Sequence, residues 1–172
     1  VYADNNDTTL KRVVLDNGMI VILKEKHDVP MVTMQMWVKA GSLTEGKYMG
    51  SGLSHYIEHM LFKGTKKRKS DDFPNDIRKA GGSDLNAYTS YDRTVYHYTI
   101  RKKYFDLGLD AIADAIQNSI FDQKMAEEES EVILKEMNMR EDDPDSVLWQ
   151  LYTETVYNTH PYRHPIIGYK SI

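Results

Sequence analysis

The chain has 172 residues, 41% of them hydrophobic and 28% charged, with a formal net charge of −4. That length allows one substantial core, and the composition excludes a disordered tail or a dedicated nucleic-acid binder. No apolar run approaches the ~20 residues needed to span a bilayer, and without cysteine any metal site must be built from histidine, aspartate and glutamate.

The opening "VYADNN" places a small residue after Val-Tyr, as the tail of a secretory signal would. This favours a bacterial periplasm over the cytoplasm or an organelle matrix. "RVVLDNGMIVILKEK" then reads as two strands joined at Asp16-Asn17-Gly18, because Asn-Gly between β-branched flanks is a strong hairpin signal. A third strand follows in "MVTMQMWVKAG". Ser51 or Ser54 and Gly64 bracket a helix over about 51–63, and a second helix near 71–80 stops at Gly81-Gly82. The basic run "KGTKKRKS" between them reads as a solvated loop.

"SDLNAYTSY" and "TVYHYTIRK", rich in Tyr and Thr, read as two more strands. In "YFDLGLDAIADAIQNSI", Phe105, Leu109, Ile112, Ile116 and Ile120 recur at helical spacing and predict one apolar stripe. A helix over about 124–141 ends before Pro144, and another covers about 145–157. Antiparallel strands followed by helices predict an α+β fold, a mostly antiparallel sheet with helices packed on one face. The end, "HPYRHPIIGYKSI", shows no closing element and reads as part of a longer protein.

The stretch "GLSHYIEHMLFKGT" carries the chemistry. On a helix at about 100° per residue, His55 and His59 lie within about 40° of each other, with Glu58 about 60° to the other side of His55. Leu53, Ile57, Met60 and Leu61 fall on the opposite face, so the helix is expected to be apolar toward one layer and polar toward another. With six histidines in the chain, the pattern HxxEH arises by chance about 0.01 times, which disfavours a coincidental pair of hydrogen-bonded helix histidines. Two neutral imidazoles at i and i+4 can chelate one ion, and a carboxylate beside them can take a proton from the water it activates.

A catalytic zinc takes three protein ligands. The helix at 124–141 offers Glu127, Glu128, Glu129, Glu131, Glu136 and Glu141. With Glu129 as zero on the helical wheel, Val132, Ile133 and Glu136 fall within about 60° of it, whereas Glu127 and Glu131 lie on the far side. Glu129 and Glu136 therefore share an apolar face, where a carboxylate must be paired, protonated or metal-bound. His160 and His164 are also four apart, but Pro161 and Pro165 interrupt that stretch. His97, in an aromatic strand, is expected to be packed or hydrogen-bonded.

HxxEH is the inverted-zincin signature, and the chain resembles the pitrilysin/insulinase family of zinc metallopeptidases. The resemblance extends over "LDNGMIVIL", "VKAGSLTE", "GLSHYIEHMLFKGT", "GGSDLNAYTSYDRTVY" and "HPYRHPIIGY". In that family 76 residues separate the second histidine from a glutamate ligand, and 76 separate His59 from Glu136. The resemblance implies one zinc ion on His55, His59 and Glu136, with Glu58 as the catalytic base. It implies that Glu129, seven residues before Glu136, supports the site. It also implies that Asn86, Ala87 and Thr89 of "NAYTS" bind substrate along a strand edge, with Asn86 beside the scissile bond. The implied protein is a metalloendopeptidase acting on peptides or unfolded polypeptides, enclosed by a second homologous half or subunit. Residues 1–172 would be its single catalytic domain, truncated at the C-terminus. A zinc-stabilised, non-catalytic peptide-binding subunit of a processing complex is the rival from another class. A small-molecule hydrolase is a second rival, disfavoured by the peptide-length strand "NAYTS".

Overall fold

A computed structural model describes residues 9–170; the Val1–Ala3 segment read above as a signal tail lies outside the described residues. These fall into two compact units divided between Met31 and Val32. The first holds an antiparallel hairpin of β1 (Leu10–Val14) and β2 (Ile20–Lys24), in the register Leu10↔Lys24 to Val14↔Ile20. The Asp16-Asn17-Gly18 turn is closed by Leu15 N–H to the Met19 carbonyl at 2.9 Å, with Asn17 Oδ1 accepting from Met19 N–H at 3.0 Å.

The second unit is built on a three-stranded sheet in the order β3-β5-β4, comprising β3 (Met31–Val38), β4 (Ser83–Thr89) and β5 (Thr94–Arg101). β4 and β5 pair antiparallel from Thr89↔Thr94 to Asn86↔His97, with an irregularity between Ser83 and Asn86 where Asp84 adopts φ 55°. Thr33 and Thr99 hydroxyls meet at 2.9 Å, and Thr94 donates to the Ala40 carbonyl at 2.9 Å, so β3 runs opposite to β5. Alternation along the strands sends Tyr96, Tyr98 and Ile100 to one face, where Met34, Met36, Leu85 and Ala87 join them. Helices α2 (Asp72–Lys79) and α3 (Phe105–Asn118) cover that face through Phe73, Ile77, Ala111, Ile112 and Ala115.

The apolar stripe expected on α3 packs only in part. Ile112 is buried and Ile116 partly so, but Phe105, Leu109 and Ile120 are exposed, and Ile120 lies beyond the helix end. The sheet presents bulky Tyr98 and Ile100, so the helix approaches with its small residues. Tyr98 donates its hydroxyl proton to the Gly108 carbonyl at 2.7 Å, and a Cβ at position 108 would stand 2.5 Å from Ile100 Cδ1.

Two further helices, α4 (Gln123–Glu141) and α5 (Pro144–Val156), complete the unit together with α1 (Leu53–Met60). Asp122 and Asp143 cap α4 and α5 by accepting from Met125 N–H and Ser146 N–H. Tyr56 ties α1 to α4, its hydroxyl donating to the Ala126 carbonyl at 2.5 Å and accepting from Ser130 at 3.3 Å. Tyr56 also packs on Ile133 and Met137 of α4 and on Ile167. The segment around Ile167 closes against the entry to α1, with Tyr169 N–H bonded to the Gly50 carbonyl at 3.2 Å.

Here too the sequence wheel needs correction. Met60 and Leu61 are buried as expected, but Leu53 and Ile57 are exposed, whereas His55 and Glu58 are buried. The polar trio faces α4 and β4, so the helix turns its chemistry inward. Likewise Val132 of α4 is exposed although it shares the wheel sector of buried Glu129 and Ile133.

Candidate metal centre

α1 follows Gly52, an N-cap residue with no side chain to accept from the first turn, and Glu45 supplies an acceptor instead. Glu45 Oε1 takes the Ser54 N–H at 2.8 Å, which satisfies one of the unpaired amides of the first turn and sets a carboxylate at its positive end. From this anchored helix His55 and His59 project one turn apart, their rings 4.6 Å centre to centre. Glu136 of α4 meets both. Its Oε2 lies 3.6 Å from His55 Nε2 and 3.7 Å from His59 Nε2. Ligand atoms of the three residues all fall within 4.8 Å of one another, and among the described residues no other group of three or more acidic or histidine side chains converges in this way.

That donor set fits a zinc ion. Bonds of about 2.0–2.1 Å in a tetrahedron separate neighbouring ligands by about 3.3 Å, close to the spacing found. Burial, partly opposed by the Glu136 carboxylate, lowers the His55 pKa to about 4, so its imidazole is neutral at pH 7 with a lone pair to offer. Arg140, one turn after Glu136, grips the other carboxylate oxygen through Nη2 at 2.9 Å and Nε at 3.2 Å, leaving Oε2 toward the histidines.

Glu129 occupies a different position from Glu136. Only 5% exposed, it accepts at Oε1 from His59 Nδ1 at 2.8 Å and at Oε2 from Lys63 Nζ at 2.5 Å. Burial alone would raise its pKa, but the hydrogen bonds from Lys63 and His59 outweigh that and hold it below the usual carboxylate range. With Nδ1 donating, the His59 lone pair is left on Nε2, facing Glu136.

Glu58 points to the sheet instead. Its Oε2 accepts from the Thr89 hydroxyl of β4 at 2.6 Å. Burial raises its pKa, opposed by that hydrogen bond, so the carboxylate takes up a proton more readily than an exposed one.

Beside Glu58 and His59 a cleft of about 310 Å³ runs along β4, with Phe62, Leu85, Asn86 and Ala87 in its walls. Ser90 N–H bonds the Arg93 carbonyl, so the alternation of an antiparallel ladder turns the amides of Ala87 and Thr89 away from β5, to the free edge. The Ala87 N–H is met there by Asn86 Oδ1 at 2.9 Å. The structure thus brings all eight residues singled out in the sequence around one cleft and ion-sized cluster, with exposed Asn86 on the cleft's rim. His160 and His164 are not part of it. His160 accepts from Tyr162 N–H at 3.2 Å and packs on Tyr157 and Tyr162, while His164 packs on Tyr169. Lys63, Glu45 and Arg140 were not singled out; of these, only Arg140, at i+4 from Glu136, left a readable signal.

The profile of the family described as Insulinase (Peptidase family M16) matches residues 20–170. The chain belongs to this family. Among curated relatives, this M16 chain is 31% identical over 159 residues to the "Uncharacterized zinc protease YmxG" of Bacillus subtilis, covering 92% of the chain and 38% of the relative. It is 34% identical over 154 residues to an "Uncharacterized zinc protease" of Rickettsia felis, covering 90% and 37%. Its fold is similar to the crystal structure of a protease from Helicobacter pylori, with a TM-score of 0.87, 28% identity, and 94% and 39% coverage. Against pitrilysin the TM-score is 0.82 at 30% identity, covering 96% of this chain and 18% of that one. The M16 chain therefore spans less than two-fifths of the curated relatives it matches, and no described helix is long and apolar enough to cross a membrane.

Proposed function

We propose that this M16 chain is the catalytic part of a zinc-dependent endopeptidase that hydrolyses peptides or unstructured polypeptides. The observation that carries the reading is the convergence of His55, His59 and Glu136 beside Glu58, at a cleft walled by the free edge of β4. One zinc ion held by those three residues would supply a Lewis acid for the scissile carbonyl and an acidified water as nucleophile.

Glu58 accepts the proton of the attacking water and delivers it to the leaving amine. Its hydrogen bond to Thr89 keeps the carboxylate on the substrate side, apart from the three ligands. A peptide adds to β4 as an extra strand, pairing with the outward N–H and C=O of Ala87. Asn86 must then release the Ala87 N–H, and its freed amide bonds the substrate backbone near the scissile bond. Backbone pairing is indifferent to side chains, which suits an unstructured polypeptide and disfavours a small-molecule substrate. Coverage of about 37% of the curated relatives supports a second homologous half or subunit that encloses the substrate.

Zinc analysis together with cleavage of a generic unstructured peptide tests this. The expected result is one zinc per chain and chelator-sensitive cleavage, fastest when the enclosing part is present. Zinc without turnover under any of these conditions would instead make the chain a zinc-stabilised, non-catalytic peptide-binding subunit.

A further inference from the structure

Lys63 sits where a surface lysine has no reason to be held. It follows α1 in the turn where Lys63 N–H bonds the Met60 carbonyl at 3.0 Å. Its neighbour Phe62 is fixed in the core, stacked on Phe73 with ring centres 5.7 Å apart and tilted on Tyr96 at 5.9 Å. This clamps the backbone at position 63, and the side chain, 28% exposed, reaches back over the last turn of α1 to the buried Glu129. Glu129 has two oxygens and two donors, His59 Nδ1 on Oε1 and Lys63 Nζ on Oε2.

We propose that Lys63 is a positioning residue for the metal centre: by gripping Glu129 Oε2 it fixes the rotation of that carboxylate, which in turn fixes the His59 ring with Nε2 toward Glu136. Removing the ammonium leaves a buried carboxylate with one donor for two oxygens, free to turn about its terminal bond. The His59 ring then loses its defined acceptor, and partners of this kind behind a ligating histidine are worth about 10–100 fold in metal affinity. The inference rests on the zinc-site reading above, and the test separates the two.

The measurement is the zinc dissociation constant by chelator competition, with the melting temperature of the metal-free protein recorded alongside. Lys63→Met, which keeps the aliphatic stem, should weaken zinc binding by about 10–100 fold while the metal-free protein stays folded, its melting temperature lowered by the loss of one donor to the buried Glu129. In a Glu129→Gln background the same change should have little further effect, because the carboxylate through which it acts is already gone. Lys63→Gln carries the same test should the Met variant not fold. Undiminished zinc affinity would overturn the proposal, as would an equal loss in the presence and absence of Glu129, or a raised KM with affinity intact, which would make Lys63 a substrate contact. If His59→Ala also leaves zinc binding unchanged, the metal centre itself is misassigned; if His59→Ala abolishes it while Lys63→Met does not, only the role of Lys63 fails.

Discussion

Gly52 opens the helix that carries His55, Glu58 and His59, and its replacement by alanine has a cost that can be worked out from two parts. Its φ of +73° lies in the left-handed region, where a Cβ costs about 1–2 kcal/mol. The second part is steric. A Cβ there would stand 2.1 Å from the Ile167 carbonyl oxygen and 2.6 Å from its carbon, both backbone atoms that no rotamer change can move. Forcing a methyl group into such a contact costs about 1–3 kcal/mol, so Gly52→Ala should lose about 2–5 kcal/mol in all. Gly46 supplies the control, because its φ is +57° with nothing within 4 Å of the added Cβ. Gly46→Ala should therefore lose only the backbone part, about 1–2 kcal/mol. Urea unfolding of the metal-free variants reads both values, and their difference isolates the clash with the Ile167 segment. Chelator competition should show weaker zinc binding for Gly52→Ala, since relief of the clash displaces the first turn of α1. Equal destabilisation of the two variants would refute the claim that this glycine is needed for close approach.

Glu58→Gln should retain zinc while lowering peptide turnover by about 10² to 10⁴; near-normal cleavage would remove Glu58 from its role. Asn86→Ala should lower kcat/KM for peptides by about tenfold, the worth of one hydrogen bond, at unchanged zinc content; a fall in zinc content instead would place Asn86 among the groups supporting the metal. Acid stability should depend on the buried Asp114, which accepts from Arg68 and Thr65, each at 2.7 Å. Burial alone would raise its pKa, but hydrogen bonds from Thr65, Asn118 and Arg68 hold it below the usual value. Its contribution is therefore fully present above the unfolded pKa of about 3.9 and lost as pH falls through the lower folded value. Urea unfolding from pH 7 to 3 should show a shallower acid-side loss in Asp114→Asn, and an unchanged slope would count against the assignment.

Some features are legible because they arise within a few residues of chain. The Asp16-Asn17-Gly18 turn, the stop at Gly81-Gly82 and the i, i+4 placement of His55 and His59 follow from local dihedral preferences and the 3.6-residue turn, and the structure has each of them. The same periodicity put Glu129 and Glu136 on one side of α4, but it could not distribute their contacts. That Glu136 Oε2 meets both imidazoles while Glu129 stands behind His59 depends on how α4 lies across α1, held by Tyr56 on Ala126 and Ser130. Periodicity also ranked the large apolar residues of α3 and α1 as the packing faces. Packing chose otherwise, because a helix next to Tyr98 and Ile100 gains more by approaching closely on Gly108 and Ala111 than by inserting Phe105 or Leu109. Glu45 and Lys63 became visible only in three dimensions. Each acts across a gap in the chain, nine residues from Glu45 to Ser54 and a full helix-to-helix contact from Lys63 to Glu129. Such contacts are selected by the shape of the assembled core, and short-range sequence patterns carry no record of it.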